Sequence, residues 1–519
     1  MRKFIGITIG PIGDTMGEAT SPGALWFASS MFSDITKRIC EAIIQEFTDT
    51  VIYSPYYDKN IKLDDGIGKF HDRILFSVSD FSHEKMKNIV TQVKEETVDI
   101  FPRDEKFCNE DSKKFFIEYL QIHYVVKEED ELEKENCILE LSSCLDAMEL
   151  MKTFPKDDAK NPIRKLFLGE DENGNKYIKN SILFQRVTKE SNQLKREGRI
   201  RNIGEIASCN ETLEGNYKRK HYYALVSADG DGMGKFLKGL SNEKVTEFSK
   251  CCLAYAQKAA EIIGSYGGMT IYAGGDDLLF LAPVMTAQDD IFGLCNTIQD
   301  LFVEELIACG KFSESTTFPT ISFGISIQHK KFPLYEALKN SSYLLALAKA
   351  DGDFSNTDCK KNNMMIGLQK HSGQSLAIVV SNEAYKTFNT ILSLGNDYIG
   401  EQKVIHSILY TLDQFSSSLG VWNSQAKKEQ VSLEKYKEVW NNFFDNVEQT
   451  NAQLYIDGIC EFYYSKLVMG KERIFVPSYA YRNNFVTEEK EPQTQDASLL
   501  SLIYILKFKK FLSEEEGEK

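Results

Sequence analysis

The sequence predicts an α+β chain built on two ferredoxin-like β-α-β-β-α-β units, with a helical linker domain between them and a helical domain at the C-terminus. Three observations predict this. Residues 222–370 carry short apolar runs and helical stripes in the split β-α-β order. Residues 1–98 repeat the front of that order, and beyond about residue 380 the apolar period becomes helical. At 519 residues the chain exceeds the roughly 250–300 at which one core stops growing, so several domains are expected. The boundaries read as 1–98, 99–221, 222–380 and 381–519.

The first unit opens on the strand-like run Phe4–Gly10. A helix follows over Leu25–Ile44, with apolar residues at 25, 28, 32, 35, 39, 40 and 43. Thr50–Ser54 and Arg73–Ser79 are β-rich, and Ser82 caps a helix beginning at His83. The linker reads as charged and helical, notably Lys127–Glu135, with a turn at Gly169–Asn175. In the second unit come a strand at 222–228, a helix capped by Ser241, strands at 269–273 and 278–282, a helix near 289–309, a strand at 320–327 and a helix at 334–350. Val404–Phe415 and Leu433–Val447 are amphipathic, and the acidic tail 514–518 reads as frayed.

Charge and cysteine usage narrow the function classes. With 61 basic against 76 acidic residues the net charge is −15, which argues against a broad nucleic-acid-binding face. The local patches Lys195-Arg196 with Arg199 and Arg201, Lys218-Arg219-Lys220, Lys360-Lys361, and Lys507 with Lys509-Lys510 read as solvated faces. No run approaches the ~20 apolar residues of a membrane span, and the N-terminus lacks a signal-peptide pattern. Eleven cysteines, scattered without any C-x-x-C spacing, fit free thiols in a reducing, cytoplasmic setting. Cys108, Cys137 and Cys144 share one stretch with His123, but without paired spacing they are not read as a zinc site.

The chemistry concentrates in two places. Tyr222–Ala228 is an apolar strand ending in Asp229-Gly-Asp231-Gly-Met-Gly234, and Gly274-Gly275-Asp276-Asp277 lies between two apolar runs as the tip of a hairpin. Gly and Asp are ordinary turn residues, so the tetrapeptide alone reads equally as a plain turn. Joined to an acidic strand end in a split β-α-β unit, it reads as the carboxylate set of a palm-type (nucleotidyl cyclase, GGDEF-like) domain. Phosphoryl transfer needs positioning and charge neutralisation more than covalent help. Asp229, Asp276 and Asp277 are accordingly the candidate catalytic residues and the ligands of two Mg²⁺ or Mn²⁺ ions. Gly230, Asp231, Gly232, Met233 and Gly234 form a candidate amide nest for a triphosphate, Gly274 and Gly275 allow close approach of backbone, and Lys349 is a candidate triphosphate clamp.

Here the chain resembles the large palm-domain (CRISPR polymerase) subunit of type III, Cmr-type, CRISPR effector complexes. The resemblance rests on Ile9-Gly-Pro-Ile-Gly-Asp14, Leu25-Trp26, Asn202–Ala207, Ala228–Gly234, the Gly-Gly-Asp-Asp tip, Ser322–Ile327, Lys361-Asn362 and His371-Ser-Gly373 in order. It implies a target-RNA-activated enzyme using ATP to make an adenylate second messenger, either cyclic oligoadenylate or AMP conjugated to S-adenosylmethionine. It also implies guide RNA, a guide-binding subunit and small helical subunits as partners. Three departures bear on this. The His71-Asp72 pair lacks the other ligands of the HD nuclease that begins many relatives, so no DNA cleavage by this chain is expected. The relatives' zinc-binding Cys pairs are missing. Glu18–Ala24 replaces an arginine-rich segment that helps hold the acceptor nucleotide. Two other readings remain open: a catalytically inactive scaffold subunit of the same complex, and a free-standing GGDEF-type dinucleotide cyclase.

Overall fold

The computed structural model describes residues 2–58, 67–128, 136–151, 161–169, 176–190, 200–208, 218–309, 312, 318–350, 361–394, 401–444, 450–470, 472–477 and 496–514. The apolar runs of the first unit become β1 (Lys3–Gly10), β2 (Val51–Ser54), β3 (Arg73–Val78) and β4 (Gln121–Glu128), ordered β2-β3-β1-β4 in one antiparallel sheet. Helix Pro22–Glu46 joins β1 to β2. Ser21 Oγ accepts from Ala24 N at its start, and Pro22 sits where its missing N–H costs nothing. Ser82 caps the helix His83–Glu96 as the sequence predicts.

β4 lies in the stretch read as helical linker, so the first ferredoxin-like sheet closes beyond residue 98. Its Ile-His-Tyr-Val-Val core is strand-like, but it runs along an edge and is mostly half-buried, and the charged run beside it masks the signal. Lys127 is therefore in a strand; residues 129–135, the turn at 170–175 and the tail beyond 514 lie outside the described residues.

The second unit is larger. β5 (Tyr222–Asp231), β6 (Met269–Gly274), β7 (Asp277–Pro283), β8 (Thr320–His329), β9 (Asn363–Gln369), β10 (Ser375–Ser381) and β11 (Ile474–Phe475) form a seven-stranded sheet ordered β11-β10-β9-β8-β5-β7-β6. The β8-β5-β7-β6 part has the ferredoxin-like order, and β9 joins it parallel to β8. Alternate residues of β5 face opposite cores. Ala224, Val226 and Ala228 pack with helices Asn242–Tyr266 and Ile291–Ala308; Tyr223 and Leu225 share a core with Trp26, Ile271 and Leu334 of helix Leu334–Lys349. Burial on both faces explains why β5 reads as a continuous apolar run.

The first unit packs against the second sheet's hairpin edge. Register shifts in β6–β7 at Ile271, and the carbonyl released from the ladder accepts from Ser29 Oγ (2.8 Å) on helix Pro22–Glu46. Ala273 N donates to Gly68 O (2.9 Å), and only glycine fits at 68, where a Cβ would lie 2.4 Å from Ser29 Oγ. The C-terminal part is helical, with Glu401–Gln414, Ser416–Glu429, Leu433–Asn442, Thr450–Phe462 and Ala497–Ser513, the last packed on β10 and β11.

Several polar residues read as surface are internal. Arg201 forks onto the carbonyls of Gly267 and Gly268 (both 2.8 Å), Arg219 donates to Leu512 O, and buried Lys509 donates to Leu392 O. Cys251 and Cys309 lie side by side, their Cα atoms 6.5 Å apart, where adjacent helices bring together residues 58 apart in sequence, a proximity that spacing does not reveal. Cys108 donates to carbonyls of Val98 and Pro102, and Cys137 is buried at the start of helix Cys137–Glu149. No helix among the described residues is long and apolar enough to cross a membrane.

Candidate functional site

The antiparallel pairing of β5 with β7 puts Ala228 opposite Leu278, so Asp229 and Asp277 follow as neighbours at the same end of the sheet. Gly275, with φ 67°, makes the turn that an L side chain would strain, and carries Asp276 over β5. The fit there is tight: a Cβ on Gly230 would lie 2.5 Å from Asp276 Oδ2 and 2.9 Å from Asp276 Cβ. Asp229, Asp276 and Asp277 are thus brought together by backbone pairing rather than by flexible side chains.

Lys349, in the last turn of helix Leu334–Lys349, reaches the same place. Its ammonium donates to Asp229 Oδ2 and to Gly230 O (2.8 Å). One lysine against three carboxylates leaves the cluster short of positive charge. Burial first, and then the Asp229 carboxylate, push Asp276 up to about 6. Asp277 is held well above the usual carboxylate range by burial, then by Asp276, Asp229 and Asp72. Solvent reaches the Asp277 side chain, so the like-charge repulsion is the firmer of its causes.

Among the described residues no three ligating side chains close round one point as they stand, because Asp229 is turned to Lys349. Magnesium commonly takes only one or two carboxylates with waters and substrate phosphates, so the donor set nevertheless suits it. Mutually repelling carboxyls are what an added divalent cation relieves.

The remaining predicted residues divide. β5 runs through Asp231, so Gly230 and Asp231 belong to the strand, paired with Ile321 and Thr320, rather than to a loop. Asp231 is buried, and its Oδ2 accepts from Thr320 Oγ1 (3.1 Å), Ser322 Oγ (2.7 Å) and Asn362 N (2.9 Å). Gly232, at φ 71°, breaks the strand and caps the short helix Met233–Leu237, whose first amides, on Met233 and Gly234, have no acceptor within the helix. Gly274 ends β6 under the Tyr272 hydroxyl, which a Cβ would meet at 2.4 Å. A cavity of about 610 Å³ opens beside this turn, lined by Asp231, Gly232, Lys235, Phe236, Phe318 and Lys361 among others. That is ample for one nucleotide.

The sequence reading missed the first unit's share in the site. His71 Nε2 bonds Ser54 Oγ (2.9 Å), its ring lies next to Gly275, and burial lowers its pKa to about 4, so it stays neutral. Asp72 beside it is raised by burial and by Glu149, and adds to the negative field on Asp277. No local motif marks these residues; only the packing of one unit on the other brings them to the turn.

Asp276 holds its proton more tightly in the folded chain than in the unfolded one. The metal-free protein should therefore lose stability as pH rises from about 4 to about 6, and lack that contribution above. Asp276→Asn removes the charge. In chelator at neutral pH the variant is expected to melt higher than the parent, by about 2–4 °C per kcal/mol of repulsion relieved, with the gap closing towards pH 4. Equal melting at neutral pH would contradict the crowding described.

Two family models match the chain: the Cas10/Cmr2 second palm domain over residues 222–357, and the CRISPR-associated protein Cmr2 N-terminal domain over residues 4–121. A curated relative, CRISPR system Cmr subunit Cmr2 of Pyrococcus furiosus, is 28% identical over 199 residues, which takes in 32% of this chain and 21% of that protein. The match thus spans about a fifth of the relative's length. Among solved structures, a type III-B Cmr-beta complex in the apo state is similar over 99% of this chain and 82% of the matched one, with TM-score 0.53 and 13% identity. A Csm1–Csm4 cassette in complex with pppApA is similar over 91% and 69%, with TM-score 0.50 and 12% identity. Two ferredoxin-like units, the second carrying Gly-Gly-Asp-Asp on its hairpin, are therefore similar to the Cmr2 N-terminal domain and the Cas10/Cmr2 second palm domain, and the whole chain has the fold of the large subunits of type III, Cmr-like complexes.

Proposed function

We propose that the chain is a nucleotidyltransferase that uses ATP to make an adenylate second messenger when its complex pairs with target RNA. The observation that carries this reading is the convergence of Asp229, Asp276 and Asp277 at one sheet end, with Asp276 seated on Gly230. A relic site would have no reason to keep repelling carboxylates together, since such crowding costs stability. The Csm1–Csm4 structure in complex with pppApA, a linear adenylate, supports the same chemistry for this fold.

Asp229, Asp276 and Asp277 would hold two divalent ions, Mg²⁺ or Mn²⁺, which when bound neutralise the triphosphate and the oxygens that attack and leave. Lys349 then exchanges its carboxylate for triphosphate oxygens, within reach of the same point. The Met233 and Gly234 amides donate to phosphate, and the aromatic side of the neighbouring cavity, Phe236 and Phe318, receives the base. The first unit fixes the turn from behind through Ser29, Gly68 and His71. The acceptor is a second ATP, or S-adenosylmethionine, joined through AMP with loss of pyrophosphate. The solved neighbours are multi-subunit assemblies, in keeping with guide RNA, target RNA, a guide-binding subunit and small helical subunits as partners.

The test is mass spectrometry of the assembled complex given target RNA, Mg²⁺ or Mn²⁺, and ATP with or without S-adenosylmethionine. An RNA-dependent adenylated product is expected; no such product under any of these conditions would overturn the reading.

A further inference from the structure

Strand β6 carries one residue more than its pairing with β7 needs, and the surplus falls at Ile271. Strand side chains alternate between faces, so an extra residue reverses the faces of everything beyond it. Met269 and Ile271 lie in the core shared with the first unit. In an unbroken ladder Tyr272 would face the opposite core, with helices Asn242–Tyr266 and Ile291–Ala308. The bulge instead puts Tyr272 beside Ile271 on the first unit's side, and Ala273 takes the place in the opposite core. Tyr272 pairs with Leu279 and Gly274 with Asp277, so the ring and the Asp277 carboxylate stand on one face. Asp229 shares that face as the neighbour of Asp277.

Two glycines make room for the ring. A Cβ on Gly68 would lie 3.3 Å from Tyr272 Cδ2, and one on Gly274 would lie 2.4 Å from its hydroxyl oxygen. The first unit fixes the backbone on either side, through Ser29 on the Ile271 carbonyl and Gly68 on the Ala273 amide. The ring is half-buried, and among the described residues none takes up its hydroxyl. Burial, and then the Asp277, Asp72 and Asp276 carboxylates, keep the proton on it. Across the sheet end the order is Lys349, Asp229, Asp277, Tyr272, with a cation on one side and a neutral phenol on the other. A triphosphate suits the lysine's side, and Asp277 with Asp72 would repel it beside the phenol. A ribose is uncharged, and its hydroxyls donate and accept as a phenol does, so it suits the second side.

We propose that Tyr272 holds the acceptor, hydrogen-bonding its ribose hydroxyls on the first unit's side of the carboxylates. This rests on the transferase reading and gives it a direction: donor triphosphate against Lys349, acceptor ribose against Tyr272. ATP and S-adenosylmethionine both carry an adenosine, so one contact serves either. In the transfer an acceptor ribose oxygen bonds the α-phosphorus of ATP and the bond from that phosphorus to its bridging oxygen breaks. Pyrophosphate leaves with the electron pair, and the hydroxyl proton passes to solvent. Tyr272 takes no proton; it places the oxygen.

Dideoxy-ATP, lacking both ribose hydroxyls, separates the two roles, because it donates AMP but has no oxygen to attack with. The assembled complex with target RNA and Mg²⁺ is given dideoxy-ATP as donor, ATP or S-adenosylmethionine is titrated as acceptor, and the mixed product is followed by mass spectrometry. Tyr272→Phe keeps the ring between its glycines, so its melting should match the parent. It is expected to lower kcat/KM for the acceptor at least about ten-fold and to leave the KM for dideoxy-ATP within about two-fold. Parent-like acceptor kcat/KM, or equal losses for donor and acceptor, would overturn the proposal. No product from the parent would instead count against the transferase reading, so binding is also measured apart from turnover. In calorimetry on the full chain with dideoxy-ATP and Mn²⁺ but no target RNA, the parent should bind adenosine at least about ten-fold more tightly than dideoxyadenosine, and the variant should bind the two alike. A parent that does not distinguish them sinks the proposal whether or not product forms.

Discussion

Asp276→Ala with Asp277→Ala is expected to fold, assemble and bind RNA, and to make no measurable adenylated product. Removing one well-placed electrostatic group from an active site typically costs about 10²–10³ in rate, so losing two of the three carboxylates should cost on the order of 10³-fold or more. The loss should be chemical rather than structural. Both carboxyls are raised in pKa by burial and then by their charged neighbours, so deleting them removes an unfavourable burial and relieves repulsion, and should leave the melting temperature equal or higher. Mass spectrometry of the reaction beside a thermal scan of the same sample checks both halves. Retained product would make the acidic turn a plain hairpin, and retained biological interference without product would favour a scaffold role.

Gly324→Ala is expected to damage the second unit far more than any surface change. Gly324 lies inside β8, and a Cβ there would sit 2.2 Å from Ser341 O, 2.3 Å from Leu345 N and 2.9 Å from Leu345 Cα. These are backbone atoms of helix Leu334–Lys349, so no rotamer change makes room and the whole helix must lift. That would break the Ser227–Ser341 hydroxyl contact (2.8 Å) and carry Lys349 away from Asp229. Overpacking of this kind costs about 3 kcal/mol or more, or roughly 6–12 °C of melting temperature for a unit of this size. Gly13→Ala, where a Cβ meets nothing within 4 Å, is the matched control and should change little. A Gly324→Ala chain that melts with the parent would show that helix and sheet are not packed as described.

The sequence carried the second unit well, because its signals are local. A strand buried on both faces reads as an apolar run, and a Gly-Gly turn between two such runs reads as a hairpin. The acidic residues follow from those two elements alone. What it concealed depends on distant pairing. β4 is a half-buried edge strand beside a charged run, and β9 pairs in parallel across a long connection, so neither announces its partner. Arg201 and Lys509 look like surface charge until carbonyls 66 and 117 residues away take them up. The same holds at the site. Asp276 is legible as a turn residue, whereas Ser29, Gly68 and His71 are ordinary residues that matter only because one unit rests on the other.

The account stands on the convergence of three carboxylates around divalent cations. Anomalous diffraction from crystals of the chain grown with Mn²⁺ and a non-hydrolysable ATP analogue measures it most directly. The account predicts two peaks between Asp229, Asp276 and Asp277, with Lys349 turned from Asp229 to the triphosphate. Manganese bound elsewhere, or a triphosphate seated away from these residues with Asp229 still paired to Lys349, would contradict it.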